Sequence, residues 1–167
     1  MNNEDLLMLY TSGQSYKEFI ETNSGFYKET ILSFKNRVEF PSTFIQEIRG
    51  LRTEKYFLAI AEPWCENSVI NVTMLAVVSE INSKINFKIV PQIELSAHMS
   101  LLGNQNVAAI PIIVELTSSG NILNVFSEKP SILRLVEKES SVMRTAMKKK
   151  YKEGGLAVEI VREILNI

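Results

Sequence analysis

The residues best suited to chemistry in this chain form the run Trp64-Cys65-Glu66-Asn67-Ser68. Cys65 is the only cysteine among 167 residues, so any thiol chemistry depends on it and no internal disulfide can form. The run stands where an apolar strand is predicted to give way to a helix. The first N–H groups of a helix lack intrahelical partners and stabilise a thiolate, which is the reactive form of cysteine. This position favours thiol–disulfide exchange by a single sulfur.

The charges nearest to Cys65 in the sequence oppose the thiolate. Glu62 and Glu66 flank the cysteine, and no lysine or arginine lies between Lys55 and Lys84. A basic side chain could still approach from elsewhere in the fold. From the local sequence we expect only a modest net stabilisation of the thiolate.

Ser68 lies one helical turn after Cys65. Its hydroxyl can donate a hydrogen bond to a thiolate, but it cannot form a second sulfur bond. An external thiol would therefore have to resolve a mixed disulfide at Cys65. The alternative is that Cys65 is a small buried hydrophobic residue, as many free cysteines are. Trp64 has two interpretations as well, and covering the end of the strand is favoured over contact with a substrate.

A strand and a helix must position the cysteine. Residues 56–61 form a continuous apolar run, which predicts a strand covered on both faces, and Pro63 ends it. Residues 66–81 predict a helix with a broad buried face. Residues 86–90 predict a second strand. Because a helix joins the two strands, we expect them to be parallel.

The remaining segments predict the layers around this unit. Residues 1–50 indicate several short helices packed as a layer on the sheet. After the second strand we expect a helix at 96–102, a strand at 111–116, a hairpin loop at 117–120 and an antiparallel strand at 121–126. A long helix is predicted from Pro130 through Ala146, and a last helix is predicted after Gly154-Gly155.

This order of elements resembles the thioredoxin fold over roughly residues 51–150. The resemblance is carried by Trp64-Cys65-x-x-Ser68 and by Val107-x-x-Ile110-Pro111 before the hairpin. It implies an α/β protein with a mixed four-stranded sheet and flanking helices. It also implies one domain over 1–167, with a helical extension at 1–50 and a thioredoxin-like core at 51–167.

The resemblance further assigns roles to residues. In thioredoxin-like proteins the matching proline is cis and faces the cysteine, so Pro111 is expected to help position a partner of Cys65. The backbone of Ile110 would then pair with an extended substrate peptide.

Three departures from dithiol thioredoxins bear on activity. Ser68 stands where the second cysteine would be, Ala59 stands where many members have a buried acid, and Glu66-Asn67 replaces Gly-Pro. Transfer of electrons from a dithiol is therefore not expected.

Two functional hypotheses remain open. The first is a monothiol thioredoxin-like protein of redox homeostasis, in which Cys65, Ser68 and Pro111 are catalytic and Trp64 and Ile110 bind a protein disulfide or a low-molecular-weight thiol. The second is a non-catalytic module that binds an extended peptide. Ser68 could also be an engineered trap for a mixed disulfide.

Composition limits the other classes of function. The net charge of −1 and the 22% of charged residues do not point to nucleic acid or to a membrane surface. The first residues lack a secretory signal pattern, so a cytoplasmic protein is expected. A lone histidine, His98, predicts no metal cluster, and no cofactor is expected. The basic residues at 144–152 are interpreted as a solvated helix end.

Overall fold

The computed structural model describes residues 3–23, 25–94 and 109–167. The helices are α1 (Asn3–Ser12), α2 (Tyr16–Glu21), α3 (Phe26–Lys35), α4 (Ser42–Gly50), α5 (Glu66–Ile81), α6 (Ser131–Leu135), α7 (Ser141–Lys152) and α8 (Ala157–Leu165). The strands are β1 (Lys55–Ile60), β2 (Ile85–Val90), β3 (Ile112–Leu116) and β4 (Ile122–Ser127). The predicted helix at 96–102, together with His98 and Val107, lies outside the described residues.

The four strands form one mixed sheet in the order β2-β1-β3-β4. Strand β1 pairs in parallel with β2 and antiparallel with β3, and β4 is antiparallel to β3. The parallel pair follows from the helix α5 that joins β1 to β2. This mixed sheet with flanking helices confirms the predicted fold class.

Helix α5 is central to the helical layer on one face of the sheet. Apolar residues occur on all sides of this helix, so most of its length from Ser68 to Val78 is buried. Helices α3, α4 and α8 pack against it. Helices α2, α3 and α4 add five side chains to the same buried cluster: Phe19, Ile31, Phe34, Phe44 and Ile48. The first fifty residues thus share a core with the sheet, and the domain boundary at residue 51 stays a prediction.

The opposite face of the sheet carries a second, smaller cluster. Leu6 of α1 packs there with Leu58 and Ile60 of β1 and with residues of β3. Cys65 lies at the border of this cluster, where it is partly buried. Cys65 therefore lies beyond the carboxyl end of β1, against the smaller cluster.

The prediction of one long helix from Pro130 through Ala146 is wrong. The structure has a short α6, a 3₁₀ turn at Val136–Lys138 and then a separate α7. Ser140 caps α7, because its hydroxyl accepts a hydrogen bond from the N–H of Met143 at 3.3 Å. Serine favours such caps over helix interiors, so a separate helix begins after Ser140.

Candidate functional site

Cys65 is the N-cap residue of α5. Its backbone is extended, with φ −91° and ψ 114°, and its carbonyl accepts the first helical hydrogen bond from Val69 N at 3.0 Å. No side chain of the described residues caps this helix end. The first N–H groups of α5 therefore keep their partial positive charge close to the sulfur.

The loop before β3 lies against the cysteine. The Sγ of Cys65 donates a hydrogen bond to the carbonyl oxygen of Ile110 at 3.5 Å. The Ile110–Pro111 peptide bond is cis. Both Ile110 and Pro111 are buried, and the carbonyl of Pro111 accepts from Glu128 N at 2.7 Å. The structure thus brings three of the predicted site residues together: Cys65, Ile110 and Pro111.

Ser68 is the third residue of α5, one turn after Cys65. Its side chain is fully buried, and its Oγ has no hydrogen-bond partner among the described residues. The hydroxyl does not bond to Cys65 in this structure. The role of Ser68 in tuning the thiolate therefore stays a prediction.

A buried amide and a buried phenol support the same turn of helix. The Nδ2 of Asn71 donates to the Tyr151 hydroxyl at 3.0 Å, to Asn67 O at 2.8 Å and to Glu128 O at 3.1 Å. Burial raises the pKa of Tyr151, and hydrogen bonding from Asn71 opposes this effect. The phenol is therefore neutral at physiological pH. These contacts tie α7 and the end of β4 to the helix that carries Cys65.

Both acids that flank Cys65 have partners from distant parts of the chain. Lys152 Nζ lies 2.7 Å from Glu66 Oε2, and both side chains are about half exposed. The backbone N–H of Gln92 donates to Glu62 Oε1 at 2.8 Å. Each of the two carboxylates therefore has a partner that the local sequence does not indicate.

Trp64 projects from the loop into the solvent on the α3 side of the cysteine. Its side chain is 58% exposed, so it covers little of the strand end. It forms one wall of a pocket of about 220 Å³ between α3 and the start of α5. The preferred interpretation of Trp64 as a cover for β1 does not explain this exposure.

Sequence reasoning missed several residues around this pocket. Phe26 and Tyr27 from α3, Arg37 after α3, and Lys152 from the end of α7 line it together with Trp64. The basic run at 144–152 is a helix end that is mostly exposed, and its last residue, Lys152, forms an ion pair with Glu66 of α5. No local signal points to these contacts, because the residues are far from Cys65 in the chain.

Two further properties concern the described ranges only. No group of three or more His, Cys, Asp or Glu side chains there could hold a metal ion. Within the same ranges, none of the helices combines the length and apolar character needed to cross a bilayer.

Comparisons with known proteins agree with this architecture. A crystal structure of an HIV epitope scaffold is similar with a TM-score of 0.82 and 18% identity, covering 96% of this chain and 94% of that chain. A protein of unknown function from Pseudomonas aeruginosa is similar with a TM-score of 0.80 and 17% identity, covering 95% and 93%. At such identities the likeness shows the fold alone. No curated protein matches the sequence. The thioredoxin family model matches residues 13–148, which is most of the chain, and the protein therefore belongs to the thioredoxin family.

Proposed function

We propose that this protein carries out thiol–disulfide exchange through one nucleophilic sulfur, Cys65. The observation that carries the proposal is the position of this sulfur at the uncapped start of α5, beside two carboxylates that both have partners. Helix N-termini are among the usual surroundings of reactive cysteines. The partner is a protein disulfide or a low-molecular-weight disulfide, and the expected setting is the cytoplasm.

The full cycle needs Cys65, a substrate disulfide and an external thiol. The Cys65 thiol first loses its proton to solvent and gives up its hydrogen bond to the Ile110 carbonyl. The thiolate then attacks one sulfur of the substrate disulfide, a new S–S bond forms, and the old one breaks. The leaving sulfur takes the bonding electron pair and a proton. Because Ser68 replaces a second thiol, an external thiol must release the adduct by the same exchange.

The second candidate is a non-catalytic module that holds an extended peptide beside Pro111. The hydrogen bond from Cys65 to the Ile110 carbonyl favours it, because a thiol held as a donor is a poor nucleophile. In this case the backbone next to Ile110 would pair with a peptide strand, and Cys65 would fill space.

Alkylation and exchange of the single thiol separate the two candidates. We expect iodoacetamide to modify Cys65 at pH 7 faster than it modifies free cysteine, and the adduct with a small disulfide to be released by added thiol. The Cys65→Ser variant removes both reactions. Slow alkylation together with an unreactive or irreversible adduct would support the non-catalytic module instead.

A further inference from the structure

Three exposed aromatic side chains surround the pocket next to the cysteine. Phe26 is 75% exposed, Tyr27 is 40% exposed, and Trp64 is 58% exposed. The rings of Phe26 and Tyr27 pack edge to face, with their centres 5.9 Å apart. Large apolar side chains that are exposed together usually mark a binding site. Two of the three come from α3, outside the segment in which the sequence located the site.

The charges in the pocket sum to one positive charge. Lys152 and Glu66 compensate each other at 2.7 Å, and Arg37 is the third charged lining residue. The Arg37 guanidinium lies 5.6 Å from the centre of the Phe34 ring, and its Nε donates to Ser33 O. No ion pair among the described residues involves Arg37. Arginine is well suited to bind a carboxylate with two parallel hydrogen bonds.

The pocket volume limits the size of a ligand. A space of about 220 Å³ is below the usual range of about 300–1,000 Å³ for drug-sized ligands. It suits a group of amino-acid size. Trp64 and Glu66, the two neighbours of Cys65 in the chain, both line this space. Cys65 itself does not line the space, and its Sγ is directed to the Ile110 carbonyl. A group bonded to the sulfur reaches this space when the Cys65 side chain gives up that hydrogen bond and turns toward Trp64.

We propose that this aromatic pocket binds the carboxylate-bearing part of a low-molecular-weight thiol while its sulfur is exchanged at Cys65. The inference rests on the proposed thiol exchange and names the class of its substrate. The aromatic rings cover the apolar part of the ligand, and Arg37 binds its carboxylate. One thiolate leaves when the substrate disulfide is attacked, and the other half stays bonded to Cys65 with its carboxylate in the pocket.

Rates of adduct formation with three small disulfides test this inference. The probes are glutathione disulfide, which carries carboxylates, the disulfide of its diethyl ester, which has nearly the same shape without them, and cystamine, which is cationic. Mass spectrometry gives the rate for each probe with the wild type and with Arg37→Gln. Arg49→Gln is the matched control, since Arg49 is exposed on α4 and does not line the pocket.

We expect the wild type to prefer glutathione disulfide over the ester, and Arg37→Gln to lower this preference by about two- to fivefold. Phe26→Ser should slow both glutathione probes and leave cystamine nearly unchanged, whereas Leu135→Ser, at another exposed site, should slow none. Equal rates for the acid and the ester in the wild type would overturn the pocket proposal while leaving thiol exchange intact. So would an unchanged preference in Arg37→Gln, or a strong preference for insulin disulfides that does not depend on Arg37. Failure of all probes to react with Cys65 would overturn the proposed function as well.

Discussion

Lys152 Nζ forms an ion pair with Glu66 Oε2 at 2.7 Å, immediately beside the N-cap cysteine. The sequence surrounds Cys65 with acids, and the fold supplies the cation that compensates one of them. Tyr151, the residue before Lys152, is buried against Asn71 of α5 and fixes the end of α7 next to the site. The surroundings of the thiol therefore include a helix that is far from it in the sequence.

Removing this cation should slow the reaction of Cys65. In Lys152→Gln the charge of Glu66 is no longer compensated, so the thiolate is less favoured. Exposed charges interact by about 0.2–1 kcal/mol, so we expect the alkylation rate at pH 7 to fall by about 1.4- to 5-fold. Lys149→Gln on the same helix serves as the control, because Lys149 pairs weakly with Glu153 at 3.9 Å. Addition of Glu66→Gln to Lys152→Gln should restore most of the rate. An equal rate in Lys152→Gln and the wild type would contradict this electrostatic role.

Ser68 should be replaceable by alanine without loss of stability. Its hydroxyl is buried without a partner among the described residues, so its removal breaks no hydrogen bond. We expect the free energy of unfolding in urea to stay the same or to rise by about 1 kcal/mol or less. Thr73→Val provides the contrast, since Thr73 Oγ1 bonds to the Tyr16 hydroxyl at 2.9 Å and its loss should cost about 0.5–1.5 kcal/mol. A clear destabilisation by Ser68→Ala would mean that the hydroxyl has a partner, such as a buried water.

Ser68→Cys should change the type of chemistry. The second thiol would lie one turn from Cys65 on the same helix, the separation at which an N-cap side chain can reach the N3 residue. We expect oxidation to consume both thiols within one molecule, and an adduct on Cys65 to be released without external thiol. Thiol counting and mass spectrometry after oxidation measure this directly. Formation of only intermolecular dimers would show that the buried position cannot reach the sulfur.

The Lys55–Glu115 ion pair should be important for stability. Lys55 Nζ lies 2.6 Å from Glu115 Oε1 and also donates to Leu165 O at 3.0 Å, and both side chains are largely buried. Lys55→Met leaves the buried carboxylate unpaired and should lower the free energy of unfolding by about 3–5 kcal/mol. Lys55→Met combined with Glu115→Leu should recover most of this loss. Lys84→Gln is the exposed control, because Lys84 is only loosely paired at 3.9 Å to Glu54. A loss below 1 kcal/mol in Lys55→Met, roughly the value of a surface pair, would contradict the prediction.

Stability should decrease at alkaline pH because of Tyr16. Burial raises the pKa of Tyr16 to about 12 from 10.0, although its hydrogen bond with Thr73 opposes this. Between these values the unfolded chain releases the proton and the folded protein keeps it. The contribution of the neutral phenol is therefore complete below pH 10 and is lost as the pH rises toward 12. Urea unfolding at pH 8 and pH 11 should show a smaller decrease for Tyr16→Phe than for the wild type. A matching decrease in both proteins would exclude Tyr16 as the cause.

The sequence determined the elements that depend on short-range patterns. The continuous apolar run at 56–61 predicted β1, and the apolar residues at 66–81 predicted α5. Both patterns are read from neighbouring residues, so they need no knowledge of the fold. The lone Cys65 and Ser68 likewise determined that no internal disulfide can form. The prediction of one long helix failed near Ser140, where the structure has two helices. The Ser140 side chain caps the second helix, and the apolar pattern does not indicate such a cap.

Only the tertiary structure decided which charged and aromatic side chains lie near Cys65. The pairing of Lys152 with Glu66 and the position of Phe26 next to Trp64 join residues from separate helices. Such contacts depend on how α3 and α7 pack around α5, and no local period encodes them. The hydrophobic cores fix this packing through many weak contacts across the chain. For this reason the sequence could identify the sulfur but not the charges and aromatic rings around it.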